Sequence, residues 1–211
     1  LSALDLRTGE LRWQYRCATS LAGEAARRVA ENRDGSKPPP LDFDAHFSGN
    51  PVFGRLAADG HRVYMLDRVD GEDAAGHSPG RRSDAHSSSG TRYPNRLVAL
   101  PVRRDEAQSA PSGGLPAVNE PLWTRGERSS LRDDELAGQV FLGRPLCVDD
   151  RVFILSEADR QISLIALEAA SGRTLWVQGV ALAKRPIAAD SLRARTACSP
   201  LYSQGTIVCP T

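Results

Sequence analysis

The sequence predicts an all-β fold: an arc of four-stranded antiparallel sheets that stack like the blades of a β-propeller and carry long loop insertions. Three observations predict it. One stretch of the chain repeats elsewhere in it, a second set of short apolar runs of strand length recurs along the chain, and Gly- or Asx-containing turns separate the runs.

The repeat is read by superposition. Residues 1–13 align with residues 164–176, placing Ala3 over Ala166, Leu4 over Leu167, Gly9 over Gly172 and Trp13 over Trp176. A third copy is interrupted: residues 96–100 begin it, and Pro121, Leu122 and Trp123 end it after an insertion. A second repeated element precedes these. Residues 50–53, 144–147 and 199–202 each place a proline at the start of a short apolar stretch, at Pro51, Pro145 and Pro200. Each is followed by a turn and a strand-like run, at 62–66, 151–155 and 206–209. The step from Pro145 to Pro200 is 55 residues, a length that suits one four-stranded blade.

Local chemistry agrees with strands. Val152 and Ile154 alternate with Phe153 and Leu155, and Ile162, Leu164 and Ala166 alternate with Ser163, Ile165 and Leu167. Runs apolar on both faces suit a sheet sandwiched between two others. Asp59-Gly60, Asp149-Asp150 and Gln204-Gly205 supply turns between paired strands, and Thr8-Gly9 and Ser171-Gly172 do so one hairpin later. Gly and Asx tolerate the positive φ that tight hairpins demand.

In this frame residues 1–16 are the last strand of one blade, 46–125 an elaborated blade with insertions, 141–179 a compact blade, and 196–211 the start of the next. Two whole blades cannot close a ring and would leave apolar faces open, so remaining blades of the same chain are the first partners implied.

Composition removes other classes. Lys and Arg number 27 against 26 Asp and Glu, leaving no uniform basic field, so nucleic acid is not an expected partner. No run approaches the roughly 20 apolar residues of a membrane-spanning helix, and residues 1–5 lack a signal-peptide pattern. Cys17, Cys147, Cys198 and Cys209 form no CxxC pair and have no His at zinc-ligand spacing, so each is expected to be a small buried hydrophobe. Cys198 and Cys209 could span a hairpin, a pairing the sequence leaves open.

Ala3, Asp5, Thr8, Gly9 and Trp13 fill every specified position of a motif reading Ala, any, Asp, two of any, Thr-Gly, three of any, Trp. This resembles the tryptophan-docking motif of the quinoprotein (pyrroloquinoline quinone) dehydrogenases, whose β-propellers are built from such repeats. Ala166, Glu168, Ser171, Gly172 and Trp176 look like a softened copy, with Glu for Asp and Ser for Thr, and Trp123 closes the interrupted one. The resemblance implies that each Trp packs between blades while the acidic residue and the Thr-Gly pair order the preceding turn. That is a structural device, and bound quinone does not follow from it. The resemblance also implies that Trp13, Trp123 and Trp176 are buried at equivalent places on successive blades, and that the protein is extracytoplasmic or periplasmic.

Three insertions interrupt the repeats. Residues 17–48 include a short helical pattern at 21–31, stopped by Pro38-Pro39-Pro40. Residues 67–95, rich in Asp, Gly, Ser and His, and 103–120, rich in Pro, Gly and Ser, read as flexible loops, the first of them dispensable. Asp42, Asp44 and His46, and Asp73, His77, Asp84 and His86, carry groups able to bind a divalent cation. Neither set matches a known metal loop, and gathering ligands from an unordered segment costs entropy, so no metal is assigned. Residues 87–90 read as solvated loop without a nucleophile elbow, and Arg81, Arg82, Arg103 and Arg104 as solvated charge.

The sequence therefore favours a noncatalytic extracytoplasmic scaffold whose loops and rim hold a protein or polymer partner, with no catalytic residue and no cofactor in this segment. The alternative is an arc of a quinone-dependent alcohol or sugar dehydrogenase, whose funnel would hold pyrroloquinoline quinone and calcium, with an aspartate as base. Enzymes of the family carry an adjacent Cys-Cys pair over the cofactor. This sequence has no such pair, which puts the scaffold first.

Overall fold

The computed structural model describes residues 1–15, 17, 55–68, 95–102, 120–127, 134–190, 193 and 199–210. Among them are twelve strands: β1 (Ser2–Leu4), β2 (Leu11–Gln14), β3 (Leu56–Ala58), β4 (Arg62–Arg68), β5 (Asn95–Pro101), β6 (Trp123–Arg125), β7 (Val140–Val148), β8 (Arg151–Ala158), β9 (Gln161–Glu168), β10 (Thr174–Leu182), β11 (Leu201–Ser203) and β12 (Thr206–Val208). A one-turn 3-10 helix, Ile187–Ala189, lies in the connection after β10.

The expected all-β class and four-stranded antiparallel sheets are what these residues form. Strands β3 to β6 make one up-and-down sheet and β7 to β10 the next, each strand paired to its chain neighbour. The β1–β2 hairpin packs outside the first and the β11–β12 hairpin outside the second, so four layers follow one another as in an arc of propeller blades.

Two-residue periodicity sets this stacking. Tyr64, Leu66, Leu97 and Ala99 point from the first four-stranded sheet toward the second and meet Val152, Ile154, Ile165 and Leu167 coming the other way. Met65, Val98 and Leu100, on the opposite face, pack against Trp13 of β2 and Tyr15 just past it. Phe153, Leu155, Leu164 and Ala166 point outward to Ile207 and Cys209. The alternation at 152–155 and 162–167 thus divides between two cores as the sequence predicts.

The turns behave as expected at Gly60 (φ +88°), Asp149 (+50°) and Gln204-Gly205 (+46° and +79°). A further one was not foreseen: Asp159 (+47°) and Arg160 (+70°) join β8 to β9, a tight turn with no glycine to announce it. Strand β7 contains Pro145 at the edge of its sheet, where no ladder partner is lost on the outer side. Its register shifts between Leu142 and Leu146, beside Gly143 at φ +69°, a bulge that bends the strand. There the amide of Arg144 donates to Ser199 Oγ at 2.7 Å, tying β7 to the segment before β11.

Several boundaries move. Residues 1–15 hold two strands rather than one, because the Asp5–Glu10 turn folds β2 back on β1. Strands β7 to β10 run from Val140 to Leu182, beyond 141–179 at both ends. The insertion read as 67–95 is shorter, since Asp67 closes the buried part of β4 and Asn95 opens β5, both fully buried and hydrogen-bonded. They belong to the blade, not to a dispensable loop. Residues 50–53, the helical pattern at 21–31, the two cation-binding sets, residues 87–90 and the Arg81–Arg82 and Arg103–Arg104 pairs lie outside the described residues. No helix among the described residues is long and apolar enough to cross a membrane.

If the two four-stranded sheets depend on their shared core, Ile165→Ala, at a fully buried position between them, should lower unfolding stability by about 2–5 kcal/mol. Denaturant titration of the full-length protein checks this, and a loss below about 1 kcal/mol would mean the sheets are not closely packed.

Candidate blade-docking interface

Every sheet that carries a Trp sets it opposite an Ala. Ala3 pairs with Trp13, Ala99 with Trp123 and Ala166 with Trp176. A small side chain across the ladder leaves room for an indole to lie over it, and Ala99 and Ala166 are fully buried. The three copies therefore coincide in register, including the interrupted one.

Two of the indoles reach into the following sheet. Trp13 Nε1 donates to Val102 O and Trp123 Nε1 to Ala169 O, each at 3.0 Å. Each acceptor carbonyl stands three residues beyond the Ala of the receiving sheet, Ala99 and Ala166 respectively. Tyr64 stacks beside Trp123 with ring centroids 5.8 Å apart, and its hydroxyl donates to Asp59 Oδ2 at 2.6 Å. Burial and that contact raise the Tyr64 pKa. Burial alone would lift the Asp59 carboxyl, but bonds from Tyr64 and from the His61 and Arg62 amides outweigh it and hold the group low.

The face of Trp123 lies on Gly172. A Cβ at that position would stand 2.6 Å from Trp123 Cδ2, and the backbone there has φ +71°. No other residue type satisfies both conditions without strain. Arg125, two positions along β6, donates from a guanidinium nitrogen to Gly172 O at 3.2 Å and pairs with Asp134 at 2.9 Å.

The acidic residues act within their own turns. Asp5 Oδ1 accepts the amides of Arg7 and Thr8 at 2.9 and 3.1 Å, its Oδ2 pairs with Arg12, and Thr8 Oγ1 accepts the Glu10 amide. These bonds, the Arg12 one foremost, hold the Asp5 carboxyl down to about 2. The Glu168 carboxylate instead accepts side-chain donors, the Ser171 hydroxyl and the Arg173 guanidinium, which keep it below the usual range. In both copies the acidic residue's amide closes the turn to the residue five on, at 2.8 Å, and the Gly amide bonds back to the acidic residue's carbonyl.

Trp176 departs from expectation. Trp13 is 3% and Trp123 8% exposed, whereas Trp176 is 40% exposed and leans on Phe153 of its own sheet. The first two indoles are covered by the third strand and following turn of the next sheet. After β10 the only strands among the described residues are β11 and β12, and their hairpin has no counterpart of Val102 or Ala169. Likewise Leu6, three residues beyond Ala3, is fully exposed, and open space surrounds Gly9. The cysteines are less buried than expected: Cys17, Cys147 and Cys209 are half-buried free thiols, and Cys198 lies outside the described residues. Burial, then the charge of Asp59, pushes Cys147 up to about 11.

Other buried polar groups escaped the sequence reading. Tyr15 Oη, Asp67 and Arg96 meet between β2 and the first four-stranded sheet. Asn95 exchanges two hydrogen bonds with the Phe141 backbone. Glu157 accepts the Ile187 amide at 2.6 Å and pairs with Arg193 at 2.7 Å, pinning the connection after β10. Asn95 and Arg96 flank the apolar run at 97–100, and an amide and a charge beside such a run were the available signal. No group of three or more His, Cys, Asp or Glu among the described residues is placed to hold a metal ion.

No family model and no curated protein matches the chain. Among solved structures it is similar to a europium-containing methanol dehydrogenase, at 16% identity and a TM-score of 0.39, over 83% of this chain and 20% of that one. The chain thus spans about a fifth of that protein's length.

The two glycine turns make a matched pair. Gly9→Ala meets only the positive φ and should cost about 1 kcal/mol, while Gly172→Ala adds the collision with Trp123 and should cost about 3 kcal/mol. Equal losses in denaturant melts would show that the indole does not rest on Gly172. Asp5 should titrate near pH 2 by carboxyl NMR and move up in Arg12→Ala. Because its folded pKa is depressed, its stabilisation of the turn is present above about pH 4 and lost as pH falls through about 2.

Proposed function

We propose that this chain is a noncatalytic, extracytoplasmic propeller scaffold of the pyrroloquinoline-quinone-like repeat type, whose blades dock through tryptophans and whose loops and rim meet a protein or polymer partner. The reading takes β3–β6 and β7–β10 as two blades, corresponding to 46–125 and 141–179, flanked by parts of two others. Ala3, Asp5, Thr8, Gly9 and Trp13, with Trp123, and Ala166, Glu168, Ser171, Gly172 and Trp176, are its docking set.

One observation carries the proposal: the polar groups of the motif are occupied in holding structure. Asp5, Thr8, Glu168 and Ser171 bond within their own turns, and the Trp13 and Trp123 N–H groups bond to backbone carbonyls of the adjoining sheet. Groups satisfied in this way are not free to converge on a substrate, whereas a quinone site needs donors aimed together into one pocket. The extracytoplasmic placement rests on the sequence resemblance.

Pyrroloquinoline quinone and calcium added to the purified full-length protein should give neither stoichiometric binding by calorimetry nor alcohol-dependent dye reduction. Turnover, or saturable binding of the quinone, would replace the scaffold with a dehydrogenase.

A further inference from the structure

At the first interface, Trp13 on β2 and Tyr15 just past its end lie two residues apart yet reach opposite ends of β5. The Trp13 indole bonds to Val102, just past the end of that strand. The Tyr15 hydroxyl sits 3.3 Å from Asp67 Oδ2 and 3.4 Å from the Arg96 guanidinium, beside the strand's start, and Arg96 pairs with Asp67 at 3.0 Å and with Glu127 at 3.1 Å. At about 3.3 Å per residue, the backbone positions of Arg96 and Val102 are roughly 20 Å apart along the strand. The side chains packed around them, Met65, Val98 and Leu100, are apolar.

The second interface is divided in the same way. The Trp123 indole bonds to Ala169, just past β9. At the other end Asn95, fully buried, donates from Nδ2 to Phe141 O at 2.9 Å and accepts the Phe141 amide at 2.8 Å.

We propose that Tyr15–Asp67–Arg96 and Asn95 are register keys, polar contacts that fix where each sheet seats on its neighbour, while the Trp contacts and the apolar layers supply most of the burial. The proposal rests on the docking reading above and deepens it. Apolar burial is non-directional, and the face of a sheet repeats every two residues. A slide of that length would keep nearly the same buried area, and a pivot about a single indole bond would cost little. Either movement would strand Asp67 and Arg96 against methyl groups, or leave both the Asn95 amide and the Phe141 backbone unsatisfied. Buried polar groups in coiled coils enforce register at the expense of stability by the same logic.

The test compares stability with uniqueness in the full-length protein. The triple variant Tyr15→Phe, Asp67→Leu, Arg96→Met keeps the volume and removes the charges. It should unfold cooperatively near the parent midpoint, yet show several Trp13 indole N–H resonances and at least tenfold faster amide exchange in β2, with β8 unchanged. Arg96→Met alone should lower the midpoint more than the triple change does, because the polar Asp67 carboxyl then stays buried without that guanidinium. A single Trp13 resonance with parental exchange in the triple variant would overturn the proposal. So would loss of cooperative folding, which would make the set a source of stability rather than of register. Asn95→Ala gives an independent measurement: Phe141 amide exchange should rise at least tenfold while Ile154 stays protected, and an unchanged Phe141 rate would count against the key. Rapid exchange of the Trp13 and Trp123 indole protons in the parent would instead sink the docking reading itself.

Discussion

The indole of Trp123 crosses from one sheet to the next and meets there two features that only backbone provides, the carbonyl of Ala169 and the bare Cα of Gly172. Much of the nearby structure follows from seating that ring. Ala99 must be small because it lies across the ladder from it, and Gly172 must lack a side chain because the ring covers it. The turn holding Gly172 at positive φ must itself be firm, and Glu168, Ser171 and Arg173 brace it from the solvent side. Arg125 then caps the Gly172 carbonyl, so the turn is held from both sheets.

The layers also carry charge where apolar packing would be expected. Asp67 and Glu157 are buried carboxylates, each paired with an arginine that is partly open to water. Removing a carboxylate from water is costly, and an ion pair returns that cost only with good geometry and further hydrogen bonds. Both sites have those bonds: the Tyr15 hydroxyl at Asp67 and the Ile187 amide at Glu157. Burial and the adjacent Asp67 charge push the Tyr15 hydroxyl up to about 12, so it stays protonated as a donor across the ordinary pH range.

Strand positions were legible because their signal is local. Alternation at 152–155 and 162–167 and the turn residues at 149–150 and 204–205 are each read within a few residues, and the repeat shows the same local pattern again in distant copies. The alignment of the copies held even across the insertion, and the structure then sets Ala99 opposite Trp123 as it sets Ala3 opposite Trp13. What depends on a neighbouring layer could not be read. The exposure of Trp176 differs from that of Trp13 and Trp123 although the surrounding letters are alike, because cover comes from another strand and not from the motif. Asp67 and Asn95 look like loop composition and become interior groups only once Arg96, Tyr15 and Phe141 are brought to them. The Asp159–Arg160 turn carries an Asx residue as the Asp149 turn does, but the left-handed conformation of Arg160 comes from the ladder pairing on both sides and not from its side chain.

The contact between successive sheets joins unlike surfaces: an outer-strand indole on one side, a turn and a third-strand carbonyl on the other. Such a contact is heterologous, and repeating it applies the same rotation again and again until the array either meets its own beginning or runs on as a helix. The angle set at one seam is therefore multiplied along the array. A change of a few degrees between β6 and the Gly172 turn would barely alter the local packing, yet, summed over every seam, it would decide how many sheets an assembly of this kind could hold.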